Sequence, residues 1–210
     1  MKLFSIDSGF YRFICRFIDL VKINLLWLLF SLPVVTMGAS TVAAYSVLLK
    51  MVDDEEGYVA RAFVKAFQKN WKQGIPMGII FLVASYALYL DYEINRVSEE
   101  GSLILIIIGI ISAFVIVMAL IYSFPLLARY ENSIAATIQN SVEIARRYFA
   151  RTLLIVVLLL LEYVVFSYNY ILMAFGFFFG PAFMMFTVAA FSKRIFQEIE
   201  KEPGAIRDNK

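Results

Sequence analysis

The stretch Ile23–Leu49, INLLWLLFSLPVVTMGASTVAAYSVLL, decides how this chain folds. It carries no charge, and Lys22 and Lys50 bound it on either side. A membrane-crossing helix needs roughly 20 mostly apolar residues. Both flanks are basic, with Lys2, Arg12, Arg16 and Lys22 before the stretch and Lys50, Arg61, Lys65, Lys69 and Lys72 after it. Lys and Arg near membrane ends favour the cytoplasm, so the stretch should cross an even number of times. Pro33 lacks a helix donor and Gly38 permits a sharp turn, so LPVVTMGAS at 32–40 reads as a hairpin tip. The ascending helix can begin near Phe10. The descending piece, about Ala39–Val52, reaches only roughly 21 Å at 1.5 Å per residue. A re-entrant hairpin suits that length as well as a full crossing does.

Composition supports a membrane setting for the rest of the chain. Of 210 residues, 61% are hydrophobic and 17% charged, and the mean hydropathy is +0.77. Soluble domains run at roughly 45–50% apolar and about 25% charged. An ordinary globular enzyme, a disordered chain and a nucleic-acid binder with a basic face are thereby excluded. Further charge-free stretches at Gln73–Leu90 and Gly101–Ala128 each suit one helix. Thr152–Ser192, interrupted only by Glu162, suits two, near 148–167 and 171–192, with a turn at Ser167-Tyr168-Asn169-Tyr170.

Charge tests this count. With six crossings, 18 of the 19 Lys and Arg residues fall on one side and Arg96 alone on the other. The expected fold is therefore all-α: a polytopic membrane helix bundle, one domain over residues 1–210, in the cell membrane with both termini cytoplasmic. No cleavable signal peptide is expected, because charges are scattered through the first 22 residues.

Two cytoplasmic segments have helical period. In GYVARAFVKAFQKNWK (57–72), Val59, Phe63, Phe67 and Trp71 share one face, and Arg61, Lys65 and Lys69 share another. That pairing suits the headgroup boundary of an anionic inner leaflet or a partner's surface. Asp53–Glu56 precedes this helix, where carboxylates favour the positive helix end. In SIAATIQNSVEIARRYFAR (133–151), Ile134, Ile138, Val142, Ala145 and Phe149 form an apolar stripe. Asn132 or Ser133 can cap its start, and Arg146, Arg147 and Arg151 close it. The likeness of SLPVV (31–35) to SFPLL (123–127) hints at an internal duplication.

Few residues offer chemistry. There is no histidine, and the single Cys15 reads as a small apolar helix residue. No metal site, cofactor box or catalytic spacing is present, so no enzyme activity is expected. Glu162 is the only charge in the last apolar region. It lines a pathway, or it sits near the outer headgroups beside Tyr163, Tyr168 and Tyr170. The hairpin tip is the other ligand candidate, with Pro33 and Gly38 breaking the helix and Thr36, Ser40 and Thr41 adding hydroxyls. Phe175, Phe177, Phe178 and Phe179 read as helix packing, with close approach at Gly176 and Gly180.

Residues 24–74 resemble the opening of the YesL family of small bacterial membrane proteins, and 123–154 look like its second block. Pro33, Thr36, Gly38, Phe63, Phe67 and Asn70 carry the first resemblance, and Pro125, Leu126 and Arg129 the second. The resemblance implies a setting beside binding-protein-dependent carbohydrate uptake systems. The chain would then be an accessory or regulatory component that contacts permease subunits and acts by interaction. The alternative from the residues is a small transporter or channel using the Pro33–Thr41 break and Glu162.

Overall fold

The computed structural model describes residues 9–55, 57–97 and 103–201. Every regular element among these is helical: α1 (Gly9–Phe30), a short 3-10 turn (Val34–Thr36), α2 (Met37–Met51), α3 (Val59–Val97), α4 (Leu103–Arg129), α5 (Ile134–Arg147), α6 (Phe149–Ser167) and α7 (Tyr170–Ile199). Five segments are long and apolar enough to cross a membrane: Val34–Met51, Val59–Arg96, Leu103–Arg129, Phe149–Ser167 and Tyr170–Ile199. The expected sixth, α1, is not among them, because Arg12, Arg16, Asp19 and Lys22 crowd its first part.

The expected segments differ at three places: α7 runs on to Ile199 rather than ending near 192, the 133–151 segment breaks at Tyr148 so that Phe149 opens α6, and two segments merge. The amphipathic stretch at 57–72 and the apolar span after it form a single 39-residue helix, α3, roughly 58 Å long. A change in hydropathy does not by itself end a helix, and α3 continues even through Pro76, which leaves only Lys72 O without its helical donor.

α2 is the hub. It is buried at Ala39, Ser40, Val42–Tyr45, Val47–Leu49 and Met51, and packs against α1, α3, α4 and α7. Its approach to α3 is backbone to backbone. A Cβ added to Gly38 would lie 2.6 Å from Gly78 Cα, and one added to Gly74 would lie 2.6 Å from Ala39 Cα. Small residues spaced by four let two helix backbones touch, which no larger side chain permits.

The core fills only one half of the molecule. Among the residues whose burial is described, α3 has no fully buried residue beyond Phe81, α4 none before Met118, α6 none beyond Ile155, and α7 none before Gly180. The α1–α2 turn meets α3 at Gly78, and the rest of α3 out to Val97 adds roughly 28 Å. At the turn, Leu32, Val34, Val35 and Met37 are exposed apolar side chains.

The two similar pentapeptides fold differently. Pro33 caps the 3-10 turn, whereas Pro125 lies inside α4, so the likeness does not mark a structural repeat.

Candidate functional site

The helix break at Pro33–Thr41 is held by its own hydroxyls. Thr36 Oγ1 donates to the pair Phe30 O (2.6 Å) and Pro33 O (2.8 Å). Ser40 Oγ donates to Trp27 O at 2.9 Å. Thr41 Oγ1 donates to Met37 O at 2.8 Å and accepts from Trp27 Nε1 at 3.0 Å. Of these carbonyls, Phe30 O lies at the end of α1 and takes its donor from Thr36, while Trp27 O and Pro33 O also accept from the backbone N–H groups of Ser31 and Thr36, so the hydroxyls spend their protons on the backbone around the break. Beside the break is an apolar cavity of about 410 Å³ lined by Trp27, Gly38, Thr41, Phe81 and Phe124, among others.

Glu162 lies apart from this cavity, between α6 and α7. Its Oε1 accepts from the Thr187 hydroxyl at 2.6 Å, and its buried Oε2 has no hydrogen-bond partner among the described residues. Break and carboxyl do not form one site.

A polar residue that sequence reasoning passed over organises the interior. Pro181 interrupts α7, so Phe177 O has no N–H four residues on to accept from. Asn24, wholly buried on α1, donates its Nδ2 to Phe177 O at 3.0 Å. Its Oδ1 accepts from Ala182 N at 3.1 Å. The side chain fills the gap in α7. The available signal was a lone amide in the uncharged stretch that begins at Ile23, the type of group that neighbouring helices use to repair a proline break.

The four segments expected on one side of the membrane converge at one end of the fold. Arg16 pairs with Asp54, and Lys193 pairs with Asp53 while donating to Leu49 O at 2.8 Å. Lys69 pairs with Glu131 at 2.8 Å and Arg151 with Glu198 at 2.8 Å. Arg129 grips Glu200 through two bonds of 3.0 and 2.9 Å, and Tyr130 donates to the same carboxylate. Burial works against ionising Glu200, but the bonds from Arg129 and Tyr130 outweigh it and hold its pKa below the ordinary carboxylate value. Arg96, at the other end, pairs with Glu93 one turn away.

Of the expected contact residues, Arg61, Lys65 and Lys69 come together. With Lys50 of α2 they line a cleft of about 520 Å³. Trp71 is exposed and outside this cleft. Arg146 and Arg147 stand at the end of α5, which Ser133 caps by accepting from Ala136 N. Arg146 bonds Glu143 and holds that carboxyl below its usual range, and Arg147 lies over the Tyr148 ring at 5.7 Å. No group of three His, Cys, Asp or Glu side chains able to hold a metal occurs among the described residues.

These features define an all-helical, multi-pass membrane protein with its polar network at one end. Residues 20–92 match the family model "Protein of unknown function, DUF624". The chain is also 27% identical over 158 residues to the uncharacterized protein YesL of Bacillus subtilis (strain 168), covering 73% of this chain and 75% of that protein. The YesL-family resemblance carried by the two sequence blocks is borne out. No solved structure matches.

Proposed function

We propose that this protein is a non-catalytic membrane component that acts through its charged end, on the cytoplasmic side, as an accessory to carbohydrate uptake. The observation that carries the interaction reading is the division of labour among polar groups. The break hydroxyls and Asn24 are committed to holding the backbone, while Arg61, Lys65, Trp71 and Arg146 are exposed at the charged end. The carbohydrate link follows from the family resemblance. Permease subunits and the anionic inner leaflet are the proposed contacts.

In this reading α3, α4, α6 and α7 cross the bilayer, and the α1–α2 pair enters and leaves by the cytoplasmic face. Support comes from the turn meeting α3 at Gly78, far from Val97, and from its exposed apolar tip. The parity of crossings is unchanged from the sequence expectation, so both termini remain cytoplasmic.

The test is deletion in the native host with sugar uptake as the readout, together with crosslinking in native membranes. At least a twofold loss of uptake, with permease subunits crosslinked to the charged end, is the expected result. Unchanged uptake and unchanged permease abundance would sink the proposal.

Glu162 supports a second reading, transport by the protein itself, since a carboxyl with one unpartnered oxygen inside a helix pair marks many ion pathways. Flux through reconstituted vesicles that falls in Glu162→Gln would favour it. Vesicles that pass no sugar or ion would end it.

A further inference from the structure

We propose that the cleft where α2, α3 and α4 meet at the charged end is a binding site for a phosphate-bearing anion. The inference deepens the reading of this end as the contact face and adds a ligand class to it.

Three cations of the cleft, Lys50, Arg61 and Lys65, form no ion pair among the described residues, while Lys69 holds Glu131. Among the described carboxylates before α3, Asp53, Asp54 and Glu55, none forms a salt bridge with them. Asp53 is engaged by Lys193 and Asp54 by Arg16, and Glu55 lines a neighbouring cavity that Lys50 also borders. Arg61, Lys65 and Lys69 repeat every four residues on one face of α3, where like charges repel and cost a few tenths of a kcal/mol per pair. Lys50 adds a fourth cation from a separate helix. The positive end of the α3 dipole lies beside Arg61 and raises the potential further.

Such a cluster, with one of its four cations paired and three without an ion pair among the described residues, is suited to an anion carrying more than one negative charge. Arg61, Lys50 and Lys65 supply charge-assisted donors, the chemistry that recognises phosphate oxygens. The Tyr58 ring, against which the Arg61 guanidinium lies at 5.8 Å, forms one wall with a hydroxyl at its rim. At about 520 Å³ the cleft is larger than one phosphate group, so there is room for the moiety that carries it. An anionic phospholipid headgroup and a soluble phosphate compound share this chemistry, and the experiment separates them.

The test uses the full chain in nanodiscs of phosphatidylcholine. One arm titrates pyrophosphate by calorimetry. The other adds phosphatidylglycerol or cardiolipin to the discs and measures lipid retained with the protein after extraction. Arg61→Gln/Lys65→Gln is compared with Lys72→Gln/Arg194→Gln, which removes two exposed cations outside the cleft. The proposal expects at least a tenfold weaker interaction in the first variant, little change in the second, and weakening of the wild type with added salt. Pyrophosphate binding indicates a soluble ligand, and selective lipid retention indicates a headgroup. Binding in neither arm, or equal losses in both variants, overturns the site. No transporter is present in this experiment, so its failure would leave the uptake proposal standing.

Discussion

Asn24 shows how one side chain can set the shape of a helix to which it does not belong. Replacing it with the similarly sized leucine leaves Phe177 O without a donor and takes the side-chain acceptor from Ala182 N, both in a buried position. Each such group costs about 1–3 kcal/mol, so Asn24→Leu should lower the unfolding temperature in detergent markedly. Pro181→Ala in the same chain restores an N–H for Phe177 O, so the double variant should recover much of the loss. A double variant no better than the single one would show that Asn24 acts by some other means. Glu200 gives a residue-level prediction of the opposite kind, at the surface. Its folded pKa lies below the unfolded value because Arg129 and Tyr130 outweigh its burial. Its contribution to docking the end of α7 is thus present at neutral pH and is lost as pH falls through that depressed pKa, below the ordinary 4.5. Glu200→Gln should flatten the acid limb of the stability profile measured between pH 6 and about 3, and an unchanged limb would refute the assignment.

At the level of elements, the α2–α3 contact depends on the absence of side chains. Gly38→Ala must drive a methyl into the α3 backbone, which cannot give way as a flexible side chain could. Its cost should be at least the roughly 1–3 kcal/mol of ordinary overpacking. Gly180→Ala on α7 meets only the Phe166 ring at 3.6 Å, an ordinary contact, and should be close to neutral. Equal effects in a chemical unfolding series would contradict this picture of the contact. These elements also show what could be read from residue order. The apolar runs predict α4 and α6 nearly to their ends and the start of α7, which runs on to Ile199 through charged residues that the apolar run excludes. They do so because a bilayer demands length and hydrophobicity and both are local properties. Ser133 is legible as a cap for the same reason. The continuity of α3 is not, since the shift from basic and aromatic to apolar at Lys72–Gln73, with Pro76 just beyond it, looks like a boundary although the helix continues through it. The Gly38–Gly78 contact and the Asn24 bridge join residues distant in sequence, so the lone amide at 24 is visible but its partners on α7 are not. The cleft was half legible. Arg61, Lys65 and Lys69 repeat visibly on α3, but only folding brings Lys50 beside them.

Across the whole molecule, two helix pairs, α3–α4 and α6–α7, extend past a core built around a shorter hairpin. The hairpin tip is apolar, with Val34 61% and Val35 56% exposed. Placed in external water, such a tip would forgo the burial that makes apolar surface favourable in a membrane, about 25 cal/mol per Å². Placed inside the bilayer beside Gly78, Phe124 and Pro181, it keeps that gain, and the hydroxyl bonds at the break satisfy its backbone. The α6–α7 connection at Tyr168–Asn169 is different in kind, carrying a phenol and an amide that suit an aqueous boundary. Single-cysteine labelling distinguishes the two depths. In a Cys15→Ser background, Asn169→Cys should react in intact cells with a membrane-impermeant maleimide. Val34→Cys and Val35→Cys should resist the same reagent and react only after denaturation. A hairpin that crosses fully would present residues 34 and 35 to the outside and label them as readily as residue 169. A tip that stays protected while both termini report cytoplasmic in reporter fusions requires a pair of helices that returns to the face it entered, because no odd number of crossings can place both ends on one side.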